Sequence, residues 1–190
     1  DWYVKALDDV VTWQIGALGK LGFRGRYEIV TPGVGVQPRA YDRAVQGGLP
    51  PGLLGSGAVW QVFYAALPRR PDVVAYVSSV ADGSGANDDC TPGDDAVALD
   101  AVATASWSAT RWIATLARRS GFAVSGENPG WHQSNVLDAR YVDVSDAGMM
   151  AAAVRQSRSC GLDTFYWAHD AQLWDGTVPF DCYAQLVELR

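Results

Sequence analysis

The chain of 190 residues is acidic, with a net charge of −6 at pH 7, and 48% of its residues are hydrophobic against 19% charged. It is long enough for one domain with a real core, and its balance is that of a folded protein rather than a disordered one. Isolated pairs such as Arg69-Arg70 and Arg118-Arg119 form no basic stripe, which argues against a nucleic-acid surface, and no apolar run reaches membrane-spanning length.

Tyr3, Leu7, Val10, Val11, Leu18 and Leu21 recur at helical spacing, predicting a helix over residues 2–21 that Gly22 stops. The strand Tyr27–Thr31 follows and opens into the rigid loop Pro32–Pro38. A Gly/Pro-rich link over 47–57 leads to a helix over 58–67, and Pro68 and Pro71 punctuate the turn into a strand over 73–80. An acidic loop over 82–95 precedes a long Ala/Trp-rich helix over 96–120, whose last turn carries Arg118 and Arg119, as suits the helix dipole. A short strand over 122–125 ends at Glu127, followed by a loop to about residue 142. A helix over 147–159, capped by Ser145 or Asp146 and closed by Gly161, leads to the strand Thr164–Trp167. The loop to Asp175 and a helix over 180–189 end the chain. Helices alternate with strands and no hairpin signal appears, so the fold class is α/β with parallel strands and helical crossovers in a single domain over 1–190.

The chemistry concentrates where strands end. Gly121 to Gly130 is an apolar run broken by a carboxylate, Glu127, with Asn128-Pro129-Gly130 fixing the exit. Such a Glu serves as nucleophile, base or metal ligand, or as a plain ion-paired carboxylate. Trp167, His169 and Asp170 form a second polar and aromatic strand end. Eight Trp and eight Tyr against five Phe is a surplus of rings with polar edges, suited to the CH-rich faces of sugars as well as to an ordinary core. The spacing of two His and scattered Asp matches no metal signature, the acidic loop lacks the Gly and Glu of an EF-hand, and no dinucleotide, P-loop or serine-elbow motif is present. No cofactor is therefore expected. Three Cys leave an odd thiol; Cys90 and Cys182, both placed on the loop-bearing rim, are a possible disulfide, alongside pairing outside the chain or three free thiols.

The opening Asp1-Trp2-Tyr3-x-x-x-Leu7-x-Asp9-x-x-x-Trp13-Gln14, with Gly22-Phe23-x-Gly25 and the Glu127 turn, resembles the second half of a glycoside hydrolase barrel. The nearest likeness is to the clan of barrel-type β-galactosidases and cellulases. The resemblance implies strands five to eight of a (β/α)8 TIM barrel, with Glu127 as the strand-seven nucleophile and Trp167 flooring the sugar subsite. Asn128, Trp131, His169, Asp170 and Gln172 would line the substrate, with donors around Glu127 keeping it ionised. The acid/base Glu would then lie upstream of residue 1, making the chain a C-terminal fragment that is nearly inactive alone. Its partners would be a carbohydrate and the missing half-barrel, and its open strand edges would leave it marginally stable or dimeric. Gly126-Glu127-Asn128 is also similar to the inverting β-amylases, so stereochemistry stays open. The alternative is a complete small α/β domain that binds carbohydrate without catalysis.

Overall fold

The computed structural model describes residues 2–47, 57–78, 80–81, 89–128 and 139–188. Four short strands, β1 (Tyr27–Thr31), β2 (Val73–Val77), β3 (Ala123–Glu127) and β4 (Thr164–Tyr166), form one parallel sheet in the order β1-β2-β3-β4. The helices are α1 (Trp2–Lys20), α2 (Pro38–Gln46), α3 (Trp60–Ala66), α4 (Ala109–Ser120), α5 (Met149–Cys160), α6 (Ala171–Trp174) and α7 (Phe180–Glu188). Strand order that never reverses puts successive crossovers of one hand on one face of the sheet. The packing agrees: α1 touches α3, α3 touches α4, α4 touches α5, and α5 touches α7. Five helices thus make a single layer, and among the described residues no helix covers the other sheet face.

The core lies between sheet and helices. Tyr27, Val73, Ala75, Val77 and Val124 point outward from the strands and meet Tyr64, Trp112, Ile113, Leu116, Met150 and Val154. Helix α4 is the centre of this layer. Ser108 caps it by accepting from the Arg111 amide, Gly121 ends it in a left-handed conformation, and Trp112, Ile113, Ala114 and Ala117 are wholly buried. Burying two side chains as large as Trp112 and Ile113 contributes several kcal/mol, of order 2 kcal/mol or more each.

Three regions depart from the sequence expectations. Residues 96–108 do not join α4; they form two 3₁₀ turns, Asp94–Ala96 and Val102–Ser106, because Asp94 is drawn into a buried ion pair with Arg111. Pro38–Gln46 is a helix where only a loop and link are expected; Pro38 at its first positions carries no amide to lose. Helix α5 starts at Met149, after Gly148 rather than Ser145 or Asp146.

The disulfide is Cys90–Cys160, which corrects the Cys90–Cys182 pairing, while Cys182 is a buried free thiol. Cys160 ends α5, at the end of the sheet where strands begin. Cys90 therefore lies away from the rim. Ala81 donates its amide to Gln156 of α5, and by Cys90 the chain has reached the foot of that helix, where the Cys90 amide meets Ser159. It then runs back along α4, held by Arg118 to Asp95, Arg119 to the Asp94 and Val97 carbonyls and Arg111 to Asp94.

Candidate active site

Alternation along each strand decides which side chains reach the helix-free face. The register aligns Glu28 with Val74 and Ala123, Val30 with Tyr76 and Ser125, and Ser125 and Glu127 with Thr164 and Tyr166. Glu28, Tyr76, Glu127 and Tyr166 thus share that face. Tyr76 Oη donates to Glu127 Oε2 at 2.9 Å, Tyr166 Oη donates to Glu28 Oε1 at 3.0 Å, and the two phenol rings lie 5.7 Å apart. Two carboxylates and two tyrosines make one continuous cluster. Val74 and Ser125 beneath it are fully buried, while Val30 and Tyr166 remain open to solvent.

Glu127 is the last residue of β3, half-buried, with the amide of Val80 bonded to its own carbonyl. Gly126 is what permits this approach: a Cβ there would lie 2.6 Å from Val80 and 3.0 Å from the Val77 carbonyl. Burial, then the hydrogen bond and charge of Glu127, then the charge of Glu28, push the Tyr76 phenol well above its ordinary value. Tyr166 is raised chiefly by its bond to Glu28. Both phenols therefore stay protonated and act as donors near neutral pH, Tyr76 to Glu127 and Tyr166 to Glu28.

The face is also curled. Extending the register from Glu28 through Val74 and Ala123 reaches Leu162, yet Glu28 meets Tyr166, four residues further along β4. Arg26, just before β1, likewise pairs with Asp163, just before β4, at 2.7 Å. A flat sheet would hold β1 and β4 about 14 Å apart, three spacings of about 4.8 Å. The two bridges therefore span a concavity along a diagonal.

The other expected site residues distribute differently. Asn128 is buried: its amide donates to Tyr141 Oη at 3.1 Å and to the Ala168 carbonyl, and its oxygen accepts from the Ala168 amide. It clamps the chain leaving β3 to the chain leaving β4, which leaves it no freedom to bind sugar hydroxyls. Trp167 follows Tyr166 and so turns to the opposite side, where its ring packs edge-on against Tyr183 of α7 at 5.4 Å. It borders a cavity of about 520 Å³ with Val154, Phe165 and Tyr183 in the helix layer, away from Glu127. His169 is exposed in a left-handed conformation, and the exposed Asp170 opens the short α6. Gln172 is half-buried, with a side-chain oxygen that finds no partner. Trp131 and the acidic loop 82–88 lie outside the described residues. Glu28, Tyr76 and Tyr166 are the site residues that the motif reading misses; strand alternation in the predicted strands is the signal that finds them.

Among the described residues no group of His, Cys, Asp and Glu is arranged to hold a metal ion, and no helix is long and apolar enough to cross a membrane. Against family models, curated proteins and solved structures, the chain finds no match.

Proposed function

We propose that this chain is half of a (β/α)8 barrel glycoside hydrolase, with Glu127 as the nucleophile. The observation that carries the reading is the Tyr76-to-Glu127 hydrogen bond at the C-terminal strand ends of a concave, helix-free sheet face. In (β/α) barrels the reacting groups gather at that end. The diagonal bridges support the barrel geometry. Strands in an eight-stranded barrel of shear 8 slip by about one residue per strand, so groups facing each other three strands apart are offset by about three. The Glu28–Tyr166 bridge here is offset by about four, toward the end of the later strand.

In this reading the free oxygen of Glu127 attacks the anomeric carbon, and the bond to the leaving oxygen breaks. Tyr76 keeps its proton and holds Glu127 Oε2. The leaving oxygen takes a proton from a second carboxyl on a strand outside these four, set about 5 Å away, and that group then takes a proton from the water that displaces Glu127 from the glycosyl-enzyme, which retains configuration. In the inverting alternative Glu127 forms no bond to the sugar but deprotonates the attacking water, with the two carboxyls roughly 6.5–9.5 Å apart. Tyr166 and Tyr76 offer the rings that a sugar face needs, and Glu28 an acceptor for its hydroxyls. The same cluster also suits carbohydrate binding without turnover.

The test uses 2,4-dinitrophenyl 2-deoxy-2-fluoroglycosides of gluco, galacto, manno and xylo configuration. Their leaving group needs no protonation, and the fluorine slows release, so a nucleophile alone is trapped. The expected result is one fluoroglycosyl residue on Glu127 by peptide mass, lost in Glu127→Gln. Labelling at another residue, or sugar binding with no labelling by any of the four, overturns the catalytic assignment; the second outcome favours the binding domain.

A further inference from the structure

Helix α1 is apolar on two sides. Val4, Asp8 and Ile15 face the core, with Leu7 and Val11 packed beside them. Roughly opposite, Trp2 is 81% exposed and Trp13 70%, with Val10 and Leu21 also open. Eleven residues are about three helical turns, so Trp2 and Trp13 stand in one line, about 16 Å apart. Ala6 and Ala17 are also eleven apart and fall in the same stripe, both half-buried, Ala6 between the two indoles and Ala17 a turn beyond Trp13.

The order Trp2, Ala6, Trp13, Ala17 therefore has spacings of four, seven and four, which read the same in both directions. A two-fold axis across the helix superimposes that pattern on itself with Trp and Ala exchanged. We propose that α1 is a self-association surface, and that its occupant is the antiparallel α1 of a second copy of this chain. Each Trp2 then enters the gap over Ala17 of the other copy, each Trp13 the gap over Ala6, and the two Val10 side chains meet near the axis. The interface is isologous and closes as a dimer. Bulky rings over small residues give the interdigitation that helix packing requires. Lys5 and Asp9, ion-paired at 2.9 Å, border the stripe as a polar edge.

Size fits the same occupant. An indole side chain offers about 200 Å², so four of them at these exposures, with the surface they land on, bury about 1,000 Å² in total. That is the lower end for a specific association and corresponds to a concentration-dependent dimer. The helix count argues against a second copy docking at the strand edges. Five layer helices over four strands leave α1 and α7 competing for one groove if two sheets joined end to end.

The experiment is sedimentation of the intact chain over a concentration series, together with cysteine cross-linking. A dimer is expected, and Trp13→Glu should raise its dissociation constant by about thirtyfold or more, as loss of a central aromatic does. Val10→Cys alone should give a covalent dimer on mild oxidation, and Val10→Cys combined with Trp13→Glu should give far less. A chain that stays monomeric throughout overturns the proposal. So does a dimer that ignores Trp13→Glu but dissociates with Val30→Lys, which would place the contact on the sheet. Neither outcome bears on labelling of Glu127.

Discussion

Tyr76 and Glu127 sit on adjacent strands, and their side chains meet above a register in which Tyr76 pairs with Ser125, two residues before Glu127. The phenol leans along the strand to reach the carboxylate. Replacing it with Phe removes the donor and leaves the ring. Tyr76→Phe should cost about 1 kcal/mol in denaturant unfolding and slow labelling of Glu127 by at least about tenfold, one hydrogen bond to charge. Labelling at the wild-type rate would separate Tyr76 from the chemistry.

The same phenol makes the fold sensitive to alkali. Tyr76 is raised by burial and by Glu127, and Tyr64, buried against α4 and bonded to Thr31, is raised by burial alone. A group whose folded pKa lies above its unfolded value of about 10 stabilises fully below that value and loses this contribution as pH rises through the folded one. Unfolding free energy should therefore fall steadily as pH rises above about 10. The fall should be shallower in Tyr64→Phe, as urea titrations at each pH would show.

At the acid end the governing pair is Asp94 with Arg111. Burial favours protonation of Asp94, but bonds from Arg111 and Thr91 outweigh it and hold the carboxyl at about 2. A depressed carboxylate stabilises above its unfolded value of about 4, and the contribution disappears as pH falls from there through 2. Arg111→Met strands a buried charge and should cost about 3 kcal/mol at neutral pH. It should also remove much of the acid sensitivity, read from thermal melts at pH 7 and 3.

Reduction tests the strap. Cys90 and Cys160 close a loop of 70 residues, for which chain entropy gives about 4 kcal/mol. Dithiothreitol should lower the melting temperature markedly. Cys182 is buried and its thiol is pushed up by burial, so it should resist thiol reagents in the folded, oxidised chain and react only after unfolding.

At the strand mouth, Gly126→Ala should destabilise by 1 kcal/mol or more, of the order seen for overpacking. The new methyl meets Val80 and the Val77 carbonyl. Circular dichroism melts together with Glu127 labelling check this; a neutral variant would show that the strand end has slack.

The strands were readable because apolar runs bounded by Gly and Pro are a local property: Tyr27–Thr31 is found as expected, and the other three fall within a few residues. Glu127 at a strand mouth was readable for the same reason. What escaped depends on distance in sequence. Cys90 and Cys160 are 70 residues apart and meet only through tertiary packing against α5, which nothing in spacing records. The long helix over 96–120 breaks because Arg111 reaches back to Asp94, a tertiary contact that overrides helix propensity. The resemblance makes Trp167 a sugar platform, but one step of strand alternation puts Tyr166 on the face with Glu127 and sends Trp167 to Tyr183. Asn128 likewise reads as a ligand group until its amide is seen spent on Tyr141 and Ala168.

The diagonal struts from Arg26 to Asp163 and from Glu28 to Tyr166 carry one more implication. Curvature here is braced by the chain's own side chains, so radius and lean are set before any neighbour arrives. In the proposed barrel, the strands that complete the circle would inherit this curvature and would have to match its slope at both seams.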